Sequence, residues 1–142
     1  MQISELMTRN PITVTPNQTI GEAAAIMEKS DLGFLPVGED DRMVGMITDR
    51  DIALRGAGLG KTPNTLVRDA MTQDVRYCYD DEETQAVVQN LGSQQIRRIP
   101  VVSRSEKRLV GIVSLGDIAQ RGSDDDAGAA LEKIAQPGGA HT

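Results

Sequence analysis

Two stretches of the chain have nearly the same sequence. Residues 45–56 read GMITDRDIALRG and residues 111–122 read GIVSLGDIAQRG, so a glycine, two apolar residues, a hydroxyl, an aspartate, Ile-Ala and Arg-Gly recur in one order. Similarity of this kind marks a duplicated structural unit, and both copies are then expected to fold alike. The duplication constrains the fold more than any other feature of the sequence.

The repeat extends over most of the chain. The pattern Ile-x-x-Leu-Met-Thr that begins at Ile3 recurs 64 positions later as Val-x-x-Ala-Met-Thr from Val67, and Leu35-Pro36-Val37 recurs as Ile99-Pro100-Val101. Residues at i, i+3, i+4 and i+7 predict one buried helix face in each copy. These faces are Ile20, Ala23, Ala24 and Met27 in the first copy and Thr84, Val87, Val88 and Leu91 in the second. Thr19 and Glu22 precede the first face with the spacing of a capping box.

Each copy predicts the order strand, helix, strand, strand, helix. The expected strands are 12–14, 34–37 and 43–48 with helices 19–30 and 49–55, and then strands 76–79, 98–102 and 109–114 with helices 83–94 and 115–121. Two residues are inserted in the second copy where 103–108 faces 38–42, which indicates a hairpin turn there. The predicted organisation is a first motif (1–56), a linker (57–65), a second motif (66–122) and a tail (123–142) with a short helix of Ala127, Ala130, Leu131 and Ile134.

A unit of about 55 residues buries too little surface to be stable alone. We therefore predict an α+β fold in which two β-α-β-β-α motifs pack sheet to sheet with approximate two-fold symmetry. Such symmetry creates two equivalent clefts where the copies meet.

Composition excludes several classes of function. The formal net charge of −6 disfavours nucleic acid as a partner, because binding to phosphates needs a basic surface. Cys78 is the only cysteine and His141, in the tail, the only histidine, so the chain offers no nucleophile and base pair, and we expect no enzyme and no metal site. No apolar run approaches the ~20 residues of a membrane span, which favours a cytoplasmic protein without a membrane partner.

The repeated hydroxyl and carboxylate, Thr48 with Asp51 and Ser114 with Asp117, have two interpretations. A hydroxyl at a helix N-cap with an acid three residues later forms a capping box, which needs no ligand. The same turn offers N–H groups and a hydroxyl to a phosphate, and its carboxylate can accept hydrogen bonds from two neighbouring sugar hydroxyls. Both interpretations remain open from the residues alone.

The pattern of Met-Thr, a helix, an apolar-Pro-Val strand and Gly-x-x-[Ser/Thr]-x-x-Asp-Ile resembles a tandem pair of CBS domains, over residues 1 to about 121. This resemblance implies a non-catalytic regulatory module that binds AMP, ADP or ATP, with NAD as a further candidate ligand and no cofactor. It also implies a homodimer and a separate regulated protein.

The resemblance also assigns roles to individual residues. It implies that Asp51 and Asp117 hold ribose hydroxyls and that Thr48 and Ser114 contact phosphate. The other implied contacts are the backbone at Ile12, Thr13, Arg76 and Tyr77 for the adenine edge, Pro36 and Pro100 for the base pocket, and Arg50, Arg97 and Arg98 for phosphate.

The two copies differ at these positions. The first copy has Gly33 and Phe34 where the second has Arg97 and Arg98, and Gly116 replaces Arg50, so the two sites are not expected to be equivalent. A solvated strand edge would equally explain Arg97 and Arg98. The alternative function is a ligand-free interaction or scaffolding module in which the two motifs are only helix caps.

Overall fold

A computed structural model describes residues 1–94, 96–121, 128 and 131–135, and the side chain of Gln94 is not described. The chain divides into two compact units, and each contains helices and strands. We call residues 12–75 the first unit, and residues 1–11 together with 76–142 the second unit. The predicted α+β fold of two tandem motifs is confirmed.

The helices and strands occur near the positions that the repeat predicts, with additions near each N-terminal segment. In chain order they are a 3-10 turn (Ile3–Glu5), β1 (Thr8–Arg9), α1 (Ile20–Ser30), β2 (Phe34–Glu39), β3 (Arg42–Thr48), α2 (Asp49–Asp51) with a π-helical continuation (Ile52–Gly56), 3-10 turns (Ala57–Leu59 and Val67–Asp69), β4 (Cys78–Tyr79), α3 (Thr84–Gln94), β5 (Arg98–Val102), β6 (Leu109–Ser114) and α4 (Leu115–Arg121). The strand predicted at 76–79 is limited to Cys78–Tyr79, and the helix predicted at 49–55 is α-helical only over Asp49–Asp51.

The sheets of the two units follow the same plan. In the second unit the strand order is β1-β6-β5-β4, with β4 parallel to β5 and the other pairs antiparallel. In the first unit β2 pairs antiparallel with β3, and single bridges at Val14–Val37 and Met46–Thr72 stand in place of the outer strands. The strand predicted at 12–14 is thus wrong in extent, since only Val14 pairs. Pro11 and Pro16 flank it and have no backbone N–H to extend a ladder.

The short segment at the start of each repeat packs in the unit that contains most of the other repeat. Val67 N donates to Gln18 O at 2.8 Å in the first unit, and Ile3 N donates to Glu82 O at 2.9 Å in the second. The N–H groups that begin the two long helices are satisfied in the same way: Ile20 N donates to Thr65 O (2.8 Å) and Thr84 N donates to Met1 O (3.0 Å). The compact units therefore differ from the sequence motifs 1–56 and 66–122 by an exchange of these segments.

The predicted linker 57–65 has a structural role in the first unit. Pro63 O accepts a hydrogen bond of 3.0 Å from Gly21 N, in the first turn of α1. A Cβ on Gly21 would lie 3.1 Å from Pro63 O, so the close approach favours glycine. The linker thereby covers donors that a free helix N-terminus would leave without partners.

Each unit has its own aliphatic core, and the exchanged segments contribute to it. The second unit's core contains Ile3, Leu6, Met7, Cys78, Val87, Val88, Leu91, Ile96, Ile99, Val101, Val113 and Ile118. The first unit's core contains Val14, Ile20, Ala23, Met27, Leu35, Val37, Ile47, Val67 and Ala70. The helix faces predicted from periodicity are the faces that supply these cores.

In each unit, the backbone of the repeated Met-Thr segment passes very close to the repeated glycine, which is Gly45 in β3 and Gly111 in β6. A Cβ on Gly45 would lie 2.9 Å from Thr72 O and 2.9 Å from Met71 Sδ. A Cβ on Gly111 would lie 2.8 Å from Thr8 O and 2.7 Å from Met7 Sδ. The repeated Met-Thr and the repeated glycine therefore have one explanation. The Met-Thr segment passes so close to β3 and β6 that no side chain fits at the glycine position.

Other local predictions have mixed outcomes. Thr19 Oγ1 accepts from Glu22 N at 3.1 Å, but the Glu22 side chain accepts from Gln18 Nε2 instead of completing the capping box. In the predicted tail helix, Ile134 is buried and Leu131 is exposed, whereas Ala127 and Ala130 lie outside the described residues. Within the described ranges, no helix has the length and apolar character needed to cross a membrane.

Candidate functional site

Thr48 and Asp51 form a complete capping box at the end of β3. Asp51 N donates to Thr48 Oγ1 at 3.0 Å, and Thr48 N donates to Asp51 Oδ2 at 3.0 Å. Thr48 has extended backbone angles, as an N-cap residue requires, and both side chains are partly buried. The capping interpretation of the first motif is confirmed.

Ser114 and Asp117 repeat this arrangement between β6 and α4. Asp117 N donates to Ser114 Oγ at 3.1 Å, and Ser114 N donates to Asp117 Oδ2 at 3.0 Å. The cap uses Oδ2 of the carboxylate as an acceptor and leaves Oδ1 without a protein donor among the described residues. It also uses the Ser114 oxygen only as an acceptor, so the hydroxyl proton remains available. Capping therefore orients both groups without exhausting them.

Thr72 distinguishes the two motifs. Its Oγ1 lies 3.4 Å from both Oδ1 and Oδ2 of Asp51, which is a long contact to the carboxylate. The corresponding Thr8 makes no such bond to Asp117 in the part of the chain that the structure describes. The spacing of the repeated Met-Thr does not predict this contact, because it does not show that Thr72 packs in the first unit.

The arginines of the two motifs hold the same crossing segments. Arg55 Nη1 donates to Met71 O at 3.1 Å, and Arg121 Nη1 donates to Leu6 O at 3.5 Å. Gly56 is buried, and a Cβ there would lie 2.8 Å from Ile20 Cδ1. The Arg-Gly ending of the first motif therefore has a structural explanation that requires no ligand.

Strand register places Arg98 beside the second motif. Arg98 pairs with Ser114 across β5 and β6, and Leu115 N donates to Arg97 O at 3.0 Å. Because directly paired residues project from the same face of a sheet, Arg98 shares a face with Ser114, while Arg97 precedes the strand. Both arginines are exposed.

The same positions of the first motif carry no charge. Phe34 pairs with Thr48, and Asp49 N donates to Gly33 O at 2.9 Å. Arg50 is exposed beside Asp51 and supplies a cation at a different position. The two motifs therefore share a backbone geometry and differ in where their positive charge lies.

The remaining predicted residues lie near the same ends of their sheets. Since β4 runs parallel to β5 and β5 antiparallel to β6, the approach to β4, the start of β5 and the end of β6 meet at one edge. Arg76 and Tyr77 are exposed at this edge, as Ile12 and Thr13 are before Val14 in the first unit. Pro36 and Pro100 lie further along β2 and β5 and are buried.

Cys78 shows none of the properties of a nucleophile. It is buried in β4, and desolvation, reinforced by Glu82 and Asp80, raises the pKa of its thiol to about 12. Among the described residues, no group of three or more His, Cys, Asp or Glu side chains is arranged to hold a metal ion. The site is therefore a set of hydrogen-bonding groups and arginines.

We expect the Cys78 thiol of the native protein to resist alkylation. At pH 8.5 a thiol with a pKa of about 12 is almost wholly protonated, whereas in the unfolded chain its pKa returns to near 9. Iodoacetamide should therefore react at least about 100-fold faster in 6 M guanidinium chloride than in buffer. The same shift lowers stability as the pH rises above 9, because only the unfolded thiol ionises there. Equal rates in the two solutions would contradict the buried placement.

Comparison with known proteins agrees with this fold over nearly the whole chain. The CBS domain family model matches residues 3–57 and 67–124. The CBS domain-containing protein YhcV of Bacillus subtilis is 40% identical over 133 residues, which cover 93% of this chain and 94% of that protein. Hypoxic response protein 1 of Mycobacterium tuberculosis is 39% identical over 118 residues, which cover 82% of this chain and 81% of that protein.

Two similar solved structures contain adenosine compounds. The CBS domain pair of MJ0100, in complex with 5′-methylthioadenosine and S-adenosyl-L-methionine, has a TM-score of 0.73 and 30% identity and covers 84% of this chain and 98% of its own. CBSX2 in complex with AMP has a TM-score of 0.73 and 27% identity, covering 84% and 93%. With its two matched repeats and the shared fold, the chain belongs to the CBS domain family as a tandem pair of CBS domains.

Proposed function

We propose that this chain is a non-catalytic regulatory module that binds an adenosine nucleotide, AMP, ADP or ATP, through Asp51 and Asp117, with NAD as a further candidate. The observation that carries the proposal is that each capping box orients a partly buried carboxylate and accepts through one of its oxygens; the other oxygen has no donor among the described residues in Asp117 and only the long Thr72 contact of 3.4 Å in Asp51. The adenosine compounds bound by MJ0100 and CBSX2 support the same ligand class.

The chemistry of the motif matches two parts of such a ligand. A carboxylate only accepts hydrogen bonds, so Asp117 suits the vicinal 2′- and 3′-hydroxyls of ribose. The Ser114 hydroxyl retains its proton when its oxygen accepts from Asp117 N, so it can donate to a 5′-phosphate. The donor and the acceptor thus lie three residues apart on one turn, as a nucleoside monophosphate requires.

The arginines predict a difference between the two sites. Arg98 lies beside Ser114 in the strand register, whereas the uncharged Phe34 lies beside Thr48. We therefore infer that the Asp117 site prefers phosphorylated ligands more strongly than the Asp51 site does, although Arg50 supplies one cation near Asp51. Binding of a nucleotide at both sites remains compatible with this difference.

Replacing Arg98 with glutamine should weaken AMP binding at the Asp117 site and leave adenosine binding unchanged. Because the guanidinium is exposed, the expected loss for AMP is about 3- to 10-fold. Calorimetric titration of both ligands gives the comparison, and Arg108→Gln, an exposed arginine of the same unit that is not among the proposed nucleotide contacts, is the matched control. Equal losses for AMP and adenosine would contradict a contact with phosphate.

A second candidate function is a ligand-free interaction or scaffolding module. The complete capping boxes in both motifs favour it, because they explain the repeated hydroxyl and aspartate without any ligand. The two candidates differ in one measurable property, which is binding of adenosine compounds.

Titration of the protein with AMP, ADP, ATP, NAD and S-adenosylmethionine, with GMP as the control base, tests the proposal. We expect saturable heat and a raised melting temperature with at least one adenosine ligand. The absence of saturable heat with all five at millimolar concentration would overturn the proposal and leave the scaffolding module.

We also propose that the chain forms a homodimer that acts on a separate regulated protein. Leu54 and Leu59 of the first unit are 52% and 66% exposed, and an apolar contact between two copies would cover them. Light scattering at micromolar concentration should give twice the mass of one chain. A single-chain mass both with and without AMP would contradict the dimer.

A further inference from the structure

The two tyrosines of the chain, exposed Tyr77 and half-buried Tyr79, form an aromatic pair at the surface of the second unit. Tyr77 is 43% exposed, and its ring meets that of Tyr79 edge to face, with centroids 5.5 Å apart at 88°. Cys78 between them is buried, as the alternation of a strand requires. Large aromatic side chains placed on the surface need an explanation, since the core of this protein is almost entirely aliphatic.

Two cations lie against the ring of Tyr79. The guanidinium carbon of Arg104 is 4.0 Å from the ring centroid, and Lys107 Nζ is 5.0 Å from the centroid and 3.5 Å from the phenol oxygen. Hydrogen bonds from Tyr77 and Lys107 lower the pKa of Tyr79. The two cations repel each other; Asp81, which is bound to Arg104, offsets part of that repulsion, and a second anion beside them would lower it further.

Asp81 fixes the orientation of Arg104. Arg104 Nε donates to the Asp81 carboxylate oxygens at 2.8 and 3.0 Å, and this hydrogen bond lowers the pKa of Asp81. Among the described residues, the two Nη atoms of Arg104 meet no acceptor. A planar guanidinium is thus held against an aromatic ring with its paired Nη donors unoccupied, which is the geometry that grips a carboxylate with two hydrogen bonds.

The nearby acids have other partners. Asp80 Oδ1 accepts from Arg104 N at 3.4 Å, Glu82 Oε2 accepts from Tyr79 N at 2.6 Å, and Glu106 lies 3.7 Å from Arg108 Nε. These contacts are with backbone groups or with a different arginine. Among the residues that the structure describes, the Nη donors of Arg104 and the ammonium of Lys107 have no anionic partner.

The cations come from the turn that the second repeat has lengthened. Ser103 is buried and organises this turn: its Oγ accepts from Glu106 N (3.3 Å) and Arg108 N (3.4 Å), and its carbonyl accepts from Lys107 N (2.9 Å). Lys107 has a φ of 62°, a left-handed conformation that Asp40 and Asp41 also adopt in the equivalent turn of the first unit. The backbone of the turn is therefore ordinary for this repeat, and the side chains of Arg104 and Lys107 are what distinguish it.

The first unit folds without any counterpart of this cluster. Thr13 and Thr15 replace the tyrosines, and the equivalent turn reads Glu39-Asp40-Asp41. The cluster is therefore not needed to build a CBS domain. Its cations lie apart from Ser114 and Asp117, because β5 (Arg98–Val102) spans about 16 Å and has that motif at its start and the lengthened turn after its end. Tyr77, which also lies at the edge proposed to meet adenine, is the residue that the cluster shares with the proposed nucleotide site.

We propose that Tyr77, Tyr79, Arg104 and Lys107 form a docking surface for an acidic segment of a partner protein, with an Asp or Glu carboxylate bound to the Nη donors of Arg104. Tyrosine and arginine are the residue types that concentrate binding energy in protein interfaces. An exposed hairpin turn also suits a protein partner better than a small molecule, which needs a concave site to bury its surface. The surface depends on neither Asp51 nor Asp117.

A fluorescein-labelled peptide with six consecutive glutamates tests this surface. Anisotropy titrations at 20 mM NaCl should show binding to the wild-type protein that weakens at least fivefold in Arg104→Gln/Lys107→Gln. The matched control Lys29→Gln/Arg42→Gln removes the same charge from exposed positions of the first unit, so it should change the affinity less than twofold. Tyr79→Leu should weaken binding without any change of charge.

Two results would overturn the proposal. One is an equal loss in the control variant, which would mean that the peptide senses only net charge. The other is a specific response to phosphate in NMR spectra of the tyrosine rings. If sodium tripolyphosphate causes saturable, Arg104-dependent shifts of the ring resonances and the peptide causes none, the cluster is a phosphate site. Circular dichroism melting of each variant verifies that the loss does not come from unfolding, and the exposed positions of Arg104 and Lys107 favour folded variants.

Discussion

Replacing Gly111 with alanine should lower the free energy of unfolding by about 2–3 kcal/mol, the largest stability effect we expect from a single methyl group here. The new Cβ would lie 2.8 Å from Thr8 O and 2.7 Å from Met7 Sδ. The methionine tail can move, but Thr8 belongs to β1, which pairs with β6 through Thr8–Ile112 and Arg9–Gly111. Relief of the clash therefore requires that β1 shift away from β6.

Urea denaturation of Gly111→Ala and Gly38→Ala measures this effect. Gly38 is a suitable control because it also lies in a strand, and its Cβ would meet only Arg42 O, at an ordinary 3.6 Å. The control should be neutral or slightly stabilising, since alanine loses less backbone entropy than glycine on folding. Gly45→Ala should behave like Gly111→Ala. Equal, small effects at all three positions would show that the exchanged segments do not cross β3 and β6 at the described distance.

Replacing Asp117 with alanine should weaken AMP binding at its site by about 10- to 150-fold, the loss expected when charge-assisted hydrogen bonds worth roughly 1.5–3 kcal/mol are removed. The same change removes the cap acceptor of Ser114 N and should cost about 0.5–1 kcal/mol of stability. The two effects have different origins, so a second variant can separate them.

Asp117→Asn is that variant. The asparagine oxygen still accepts from Ser114 N, so the melting temperature should stay near the wild-type value, while the loss of charge should still weaken AMP binding about tenfold. Thr19→Ala is the control for loss of a cap, because it removes the acceptor of Glu22 N at the start of α1 and leaves both carboxylates and both motif hydroxyls in place. Wild-type affinity in both Asp117 variants, with a lower melting temperature only in the alanine variant, would leave capping as the sole role of Asp117.

Local structure could be predicted from the sequence because each pattern occurs in both copies of the repeat. The helix faces, the hairpin turns and both capping boxes follow from spacing and residue type, and these features depend on neighbours within a few positions. The two extra residues of the second turn located the hairpin, although not the cations that it places on Tyr79.

The exchange of segments could not be predicted in this way. Ile3 and Val67 have the same pattern, and nothing in that pattern determines which copy each residue enters, since both cores offer an equivalent place. The contact of Thr72 with Asp51 was missed for the same reason. Periodicity specifies which face is buried, and only the three-dimensional structure specifies what covers it.

Much of the repeated motif proves to be structural. Gly111 permits a backbone crossing, Ser114 and Asp117 cap a helix, and Arg121 binds a carbonyl of the crossing segment. Resemblance of the motif alone is therefore weak support for a ligand. The support comes from the acceptor and donor that capping leaves available, from Arg98 beside Ser114, and from the adenosine compounds in similar CBS proteins.

Calorimetric titration of the wild-type protein with AMP and with its 2′,3′-dideoxy analogue tests the central claim most directly. Both ligands share the base and the phosphate and differ only in the vicinal hydroxyls that Asp51 and Asp117 are proposed to bind. The account predicts saturable binding of AMP and at least tenfold weaker binding of the analogue. Equal affinity for the two ligands, or no binding of AMP or of any other adenosine ligand, would contradict it.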